Sequence, residues 1–179
     1  RTYALGATAE PYSIRFTTRL LSPGAGVAAP AFAQTLGSWR PTVGDKANQF
    51  LSVLTHDGED TIRTGVDPFH DSNGIFGLGA SRAVPTVELA SAGKPYFWVA
   101  SGNQFFASII HPLSVEARGA RSQVSIRPVA FPEGAEGLDG VASWATVVKP
   151  DLSTELTGDF FVGPKEYARV SALPDNQVY

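Results

Sequence analysis

Three histidines stand out first, because imidazole is the side chain that titrates near neutral pH. In "DPFHDSN", Asp67, His70 and Asp71 have the types to hold a divalent cation. The same Asp, Asn and Pro residues also build turns. With no second histidine or spaced carboxylate set nearby, a turn-rich surface loop is the better reading. His56, Asp57 and Gly58 invite comparison with His-Asp metal motifs, yet Asp before Gly between two apolar runs is a hairpin signal. His111, before Pro112, closes an apolar run and has no neighbour in sequence to work with. The chain has no cysteine, which removes disulfides, thiol catalysis and Cys-ligated zinc. No G-x-S-x-G elbow is present. The glycines of "GIFGLGAS" (Gly74, Gly77, Gly79) are out of order for a phosphate loop. Glu59, Asp60, Glu133 and Glu136 lie in turn-like stretches and Asp139 follows close by, and no pair is singled out for glycoside hydrolysis. These residues point to no enzyme, no metal centre and no cofactor. The aromatics Trp39, Tyr96, Phe97, Trp98, Phe105, Phe106 and Trp144 have the types to line a sugar or peptide cleft. In a β-rich chain such residues more often form core.

Composition sets the frame for whatever positions them. The chain has 179 residues, about one domain, and 43% are hydrophobic. Eighteen glycines and 13 prolines favour many short strands over long helices. The net charge is −3, and the 14 basic residues are scattered along the chain. Neither a nucleic-acid groove nor an anionic-membrane patch is suggested. No apolar run approaches the ~18–20 residues needed to span a bilayer.

"YSIRFTTRLL" alternates, with Tyr12, Ile14, Phe16, Thr18 and Leu20 on one face, and "TYAL" is a hairpin partner for it. "SPGAGVAAPAFAQ" (22–34) is expected to be a loop. "FLSVLTHDGEDTIRTGV" predicts two strands about Asp57 and Gly58, followed by a long irregular loop and a short strand in "VPTVELAS". "PYFWVASGNQFFASIIHP" predicts one central strand, bent at Ser101, Gly102 and Asn103. "SQVSIRPVAF", "VASWATVVKP" and "STELTGDFFVG" are further strands. Pro164 is expected to open a short helix, with Tyr167, Val170 and Leu173 on one face and Pro174 as its stop. The whole predicts an all-β, antiparallel sandwich of about eight strands with a short C-terminal helix, a closed barrel being the alternative.

Two segments carry more than pattern. "YFWVASGNQFFASIIHP" (96–112) resembles part of the periplasmic domain of YidC-type membrane protein insertases, through Trp98, Gln104, Phe105, Phe106, Ala107 and Pro112. "FFVGPKEYARVSAL" (160–173) is similar to the segment that closes that domain, through Gly163, Pro164, Lys165, Tyr167 and Leu173. "TYALGATAEPYSIRFTTRLL" matches an earlier strand pair there by pattern. The resemblance implies a supersandwich of the galactose-mutarotase-like type over 1–164, with the family's earliest strands missing. It implies a helix and tail over 165–179 leading toward a transmembrane bundle. It also implies a soluble domain at the periplasmic face of the bacterial inner membrane that assists insertion and folding of membrane proteins. Expected partners are Sec translocon components, nascent membrane proteins and the parent chain's own transmembrane part. Gly163, Pro164, Lys165 and Tyr167 are the expected contact residues. A carbohydrate-binding or sugar-modifying sandwich is the competing reading.

Overall fold

A computed structural model describes residues 2–5, 11–20, 31–73, 79–91, 93–114, 117, 121–145, 153–171 and 173. Among them eleven strands form two antiparallel sheets. They are β1 (Thr2–Leu5), β2 (Ser13–Leu20), β3 (Ala31–Trp39), β4 (Ser52–His56), β5 (Thr61–Thr64), β6 (Val87–Ala90), β7 (Trp98–Gly102), β8 (Phe106–Pro112), β9 (Ser122–Ala130), β10 (Glu136–Ala145) and β11 (Thr154–Pro164). A 3-10 turn, Asp67–Phe69, follows β5, and one short helix, α1 (Tyr167–Val170), follows β11. The large sheet runs β1-β2-β11-β8-β7-β4-β5 and the small one β3-β10-β9-β6.

The sandwich is the outcome of period-two patterning. Val53, Val99, Ile110, Phe16 and Leu156 of the large sheet meet Leu36, Val124, Ile126, Leu138 and Trp144 of the small one in a single core. The sheets are also tied by polar contacts. Trp39 Nε1 donates to Ser108 Oγ at 3.3 Å, and the Ser108 hydroxyl donates to the Leu36 carbonyl. Trp144 Nε1 donates to the Tyr96 carbonyl at 3.0 Å, so a buried indole keeps its N–H bonded.

The predicted hairpins hold. β1 pairs with β2, and β4 with β5 across a turn at Asp57 and Gly58. Asp57 Oδ1 accepts from the Asp60 and Glu59 amides, and those bonds pull its carboxyl below the usual range.

Several expectations change. Glu136, read as a turn residue, opens β10, which starts ahead of the expected "VASWATVVKP" because Glu136–Gly140 already pair with β9. The central strand over 95–112 is two strands, β7 and β8, because the bend tightens into a turn over 103–105. Asn103 Oδ1 accepts the amides of Phe105 at 3.0 Å and Phe106 at 3.1 Å, closing that turn. The loop expected over 22–34 gives up its last residues to β3, whose Ala-rich start hides a strand that pairs with β10 on both sides of a bulge at Leu36; residues 22–30 lie outside the described part. Pro164 does not open the helix. It ends β11 opposite Phe106, at a ladder end where its missing N–H costs little, and α1 starts three residues later.

Candidate functional site

β8 and β11 lie side by side through seven residue pairs, from Gly158 with Pro112 to Pro164 with Phe106. Past Pro164 the chain turns back over the outer face of the large sheet, the face away from the small sheet. The Lys165 amide donates to the Phe105 carbonyl at 2.8 Å, which fixes the start of that turn. Two glycines make the outer face flat there. A Cβ on Gly163 would sit 2.8 Å from the Tyr12 ring, and one on Gly102 would come within 3.2 Å of Lys165 Cε and collide with the Phe106 carbonyl. Their bare backbones thus form the floor on which the Tyr12 ring and the Lys165 stem lie.

That floor seats α1. Val170 and Leu173 are buried with Leu54, Trp98, Ala100, Ala107, Ile109 and Phe161 in a second, outer core. Arg169 stands over the Tyr12 ring at 4.9 Å and pairs with Glu166 at 2.7 Å, while Tyr12 meets Phe161 edge-on at 6.4 Å. Tyr12, just ahead of β2, therefore links the strand, the floor and the helix, a role its place in the alternating stretch did not suggest.

Beside this exit lies an open groove of about 620 Å3, bordered by Phe50, Leu54, Arg63, Asp67 and Lys165. Its rim is held from below. Buried Asp45 accepts the amides of Gln49 at 2.7 Å and Phe50 at 3.0 Å, and Asn48 takes a left-handed backbone (φ 54°). The Arg63 guanidinium donates to the Gln49 carbonyl. Burial, with the charge of Arg63 adding to it, pulls the Lys165 ammonium down to about 8.

The expected contact residues thus divide. Pro164 pairs with Phe106 and the Lys165 amide bonds the Phe105 carbonyl, so the end of β11 lies beside the 103–105 turn. The Thr42 hydroxyl donates to Gln104 Oε1 at 2.9 Å, joining the 103–105 turn to the 41–50 loop. Tyr167 opens α1, and its side chain lies outside the described part of the structure. Trp98 is core, stacked on His56 with ring centroids 5.1 Å apart, and Pro112 is buried opposite Gly158 at the far end of β8. Phe105 and Phe106 are not core: they are 55% and 49% exposed. Arg63 and Phe50 went unnoticed in the sequence because nothing local marks them; only the folding of the 41–50 loop against β5 brings them to Lys165. His70 lies 3.2 Å from Glu136 at the start of β10, and Asp71 accepts the Ala83 amide within its own loop.

The chain matches no protein-family model and no curated protein.

Proposed function

We propose that this chain is the water-soluble periplasmic domain of a YidC-type membrane protein insertase, acting by protein–protein contact at the inner membrane and not by catalysis. The observation that carries this reading is the pairing of β8 with β11. The two segments resembling that family, 96–112 and 160–173, are distant in sequence yet form one unit, with Ala107 opposite Gly163 and Phe106 opposite Pro164. A resemblance confined to two unrelated loops would weigh far less. The fold, a sandwich of antiparallel sheets ending in a short helix, suits the same reading.

In this reading the work of the domain is to present a rigid β surface and to set the direction in which the chain leaves it. Gly163 and Pro164 end the strand, Lys165 turns the backbone, and α1 is pinned by Val170 and Leu173. The surface so made would face Sec components, a nascent membrane protein or the parent chain's own transmembrane bundle. The test is complementation in cells depleted of their insertase, using the full-length protein. Replacing Pro164 and Tyr167 together by alanine is expected to impair insertion of a reporter while the β domain stays folded. Normal insertion by a folded variant would remove the role of the exit. Failure of the unaltered protein to support insertion would remove the insertase reading itself.

The carbohydrate reading has less behind it. It needs an exposed aromatic platform or a His/Glu pair in a cleft; Trp98 and Trp144 are both in the core, Phe105 and Phe106 are about half exposed, and His70 lies 3.2 Å from Glu136 at a surface position. Calorimetry with simple sugars separates the two, micromolar binding favouring the sugar.

A further inference from the structure

We infer that α1 is a latch: it leaves the outer face of the large sheet while the sandwich stays folded, and its departure bares an apolar floor that includes the Trp98 indole. The inference concerns the chain by itself and does not require the insertase reading.

The bonds within α1 are its own. The Arg169 and Val170 amides donate to the Glu166 carbonyl at 2.9 and 3.0 Å, and the Leu173 amide donates to the Val170 carbonyl at 3.2 Å. The ion pair between Glu166 and Arg169 is internal as well. So short a helix is not stable alone, and its place depends on what it touches. Val170 and Leu173, 3% and 8% exposed, supply that contact in the outer core, and Arg169 adds the Tyr12 ring. The β11 ladder ends at Pro164, opposite Phe106, and α1 begins at Tyr167. Residues 165 and 166 between them give the backbone a place to pivot.

The outer core carries a cost that release removes. Trp98 belongs to the same buried cluster as Val170 and Leu173, is 1% exposed, and its Nε1–H meets no acceptor among the described residues. A buried donor without an acceptor is unfavourable, and water satisfies it once the cover lifts. The other two indoles are bonded: Trp144 Nε1 donates to the Tyr96 carbonyl and Trp39 Nε1 to the Ser108 hydroxyl. The unmet N–H thus lies in the outer core and not between the sheets. The rest of the floor is held without α1. Ala100 and Ile109 are opposite each other in the β7–β8 ladder, and Ala107 and Phe161 lie in the β8–β11 ladder. Lifting α1 removes two apolar side chains from the outer core and leaves both ladders intact. That makes the opening separable from unfolding of the sandwich.

The test is indole hydrogen exchange, followed by NMR on the 179-residue chain in D2O with and without urea below the unfolding transition. The Trp98 Nε1–H is expected to exchange roughly tenfold or more faster than that of Trp144, at a rate nearly flat in urea, because the opening exposes little surface. Trp144 should instead accelerate steeply with urea, following unfolding. Leu173→Ala should speed Trp98 exchange roughly 30–100-fold. Arg169→Gln, a surface change that removes the contact with the Tyr12 ring, should speed it about 2–5-fold. Circular dichroism checks that each variant is folded, and the glutamine variant keeps the test decisive if the alanine variant is not. Equal rates and equal urea slopes for the two indoles overturn the inference, since α1 would then belong to the main cooperative unit. So does fast Trp98 exchange that neither folded variant alters, which would mean that water reaches the indole without α1 moving.

Discussion

At the residue scale, glycine and lysine carry the exit. Gly163 is required by space: a methyl there meets the Tyr12 Cβ at 2.8 Å and the Phe161 ring at 2.9 Å. Gly163→Ala is expected to cost about 1–3 kcal/mol by overpacking, read by urea unfolding. Tyr12→Ala in the same chain should recover only the share due to the ring carbon Cγ, since alanine keeps the Cβ and Phe161 stays in place; no recovery would locate the strain at those two atoms. Lys165 makes a different prediction. Its folded-state value near 8 lies below the ordinary 10.5, so the folded chain binds this proton more weakly than the unfolded chain. Below about 8 both states are charged, and the folded state bears the whole desolvation cost. That cost shrinks as pH rises through the folded value and is gone above 10.5. Arg63 and Asp67 are the charged groups that share its groove. Lys165→Met should therefore gain Tm relative to the parent at neutral pH and lose that advantage as pH approaches 10.5. A pH-independent difference in thermal melts would contradict it.

At the element scale, α1 is too short to be stable by itself, since its four residues barely complete a turn. What holds it is the outer core. Val170 and Leu173 are nearly fully buried, against Ala107, Ile109, Phe161 and their neighbours. Leu173→Ala is expected to cost about 2–3 kcal/mol and to release α1 before the sandwich unfolds, seen as amide exchange rising in α1 ahead of β11. Simultaneous exchange in both would show that the helix belongs to the main cooperative unit. The three-residue spacing of Tyr167, Val170 and Leu173 made this helix legible in sequence, and the burial of the last two agrees with it. Its start was misjudged for a physical reason. Proline suits both a first helical turn and a strand end, and only the ladder with Phe106 decides which. The same holds for the 95–112 segment. An unbroken apolar run does not say whether a polar triplet within it bends a strand or reverses it. Here Asn103, by accepting two amides, reverses it.

At the scale of the whole molecule, the last strand is a middle strand. β11 sits between β2 and β8, so it alone joins the first hairpin to the rest of the large sheet. A chain shortened to residues 1–152 should therefore show no cooperative unfolding transition by circular dichroism. A sharp transition would mean the sandwich closes without β11. Such long-range pairing also implies folding in milliseconds to seconds, as in other sheet proteins of high contact order. Edge strands fit the same picture. β5 is one edge of the large sheet, exposed along most of its length, and Arg63 gives that edge a charge.

The order of residues along this chain was enough to determine the all-β class, the hairpin at Asp57 and Gly58, the short terminal helix and the two segments on which the family resemblance rests. These are local matters: alternation, turn chemistry and helical spacing act between near neighbours. The tertiary structure alone decided that β8 and β11 are partners, that Gly102 and Gly163 form one floor, and that Arg63 and Phe50 meet Lys165. Basic residues that are scattered in sequence become a pair only when a closing strand carries one of them across the sheet, and no local signal encodes that distance.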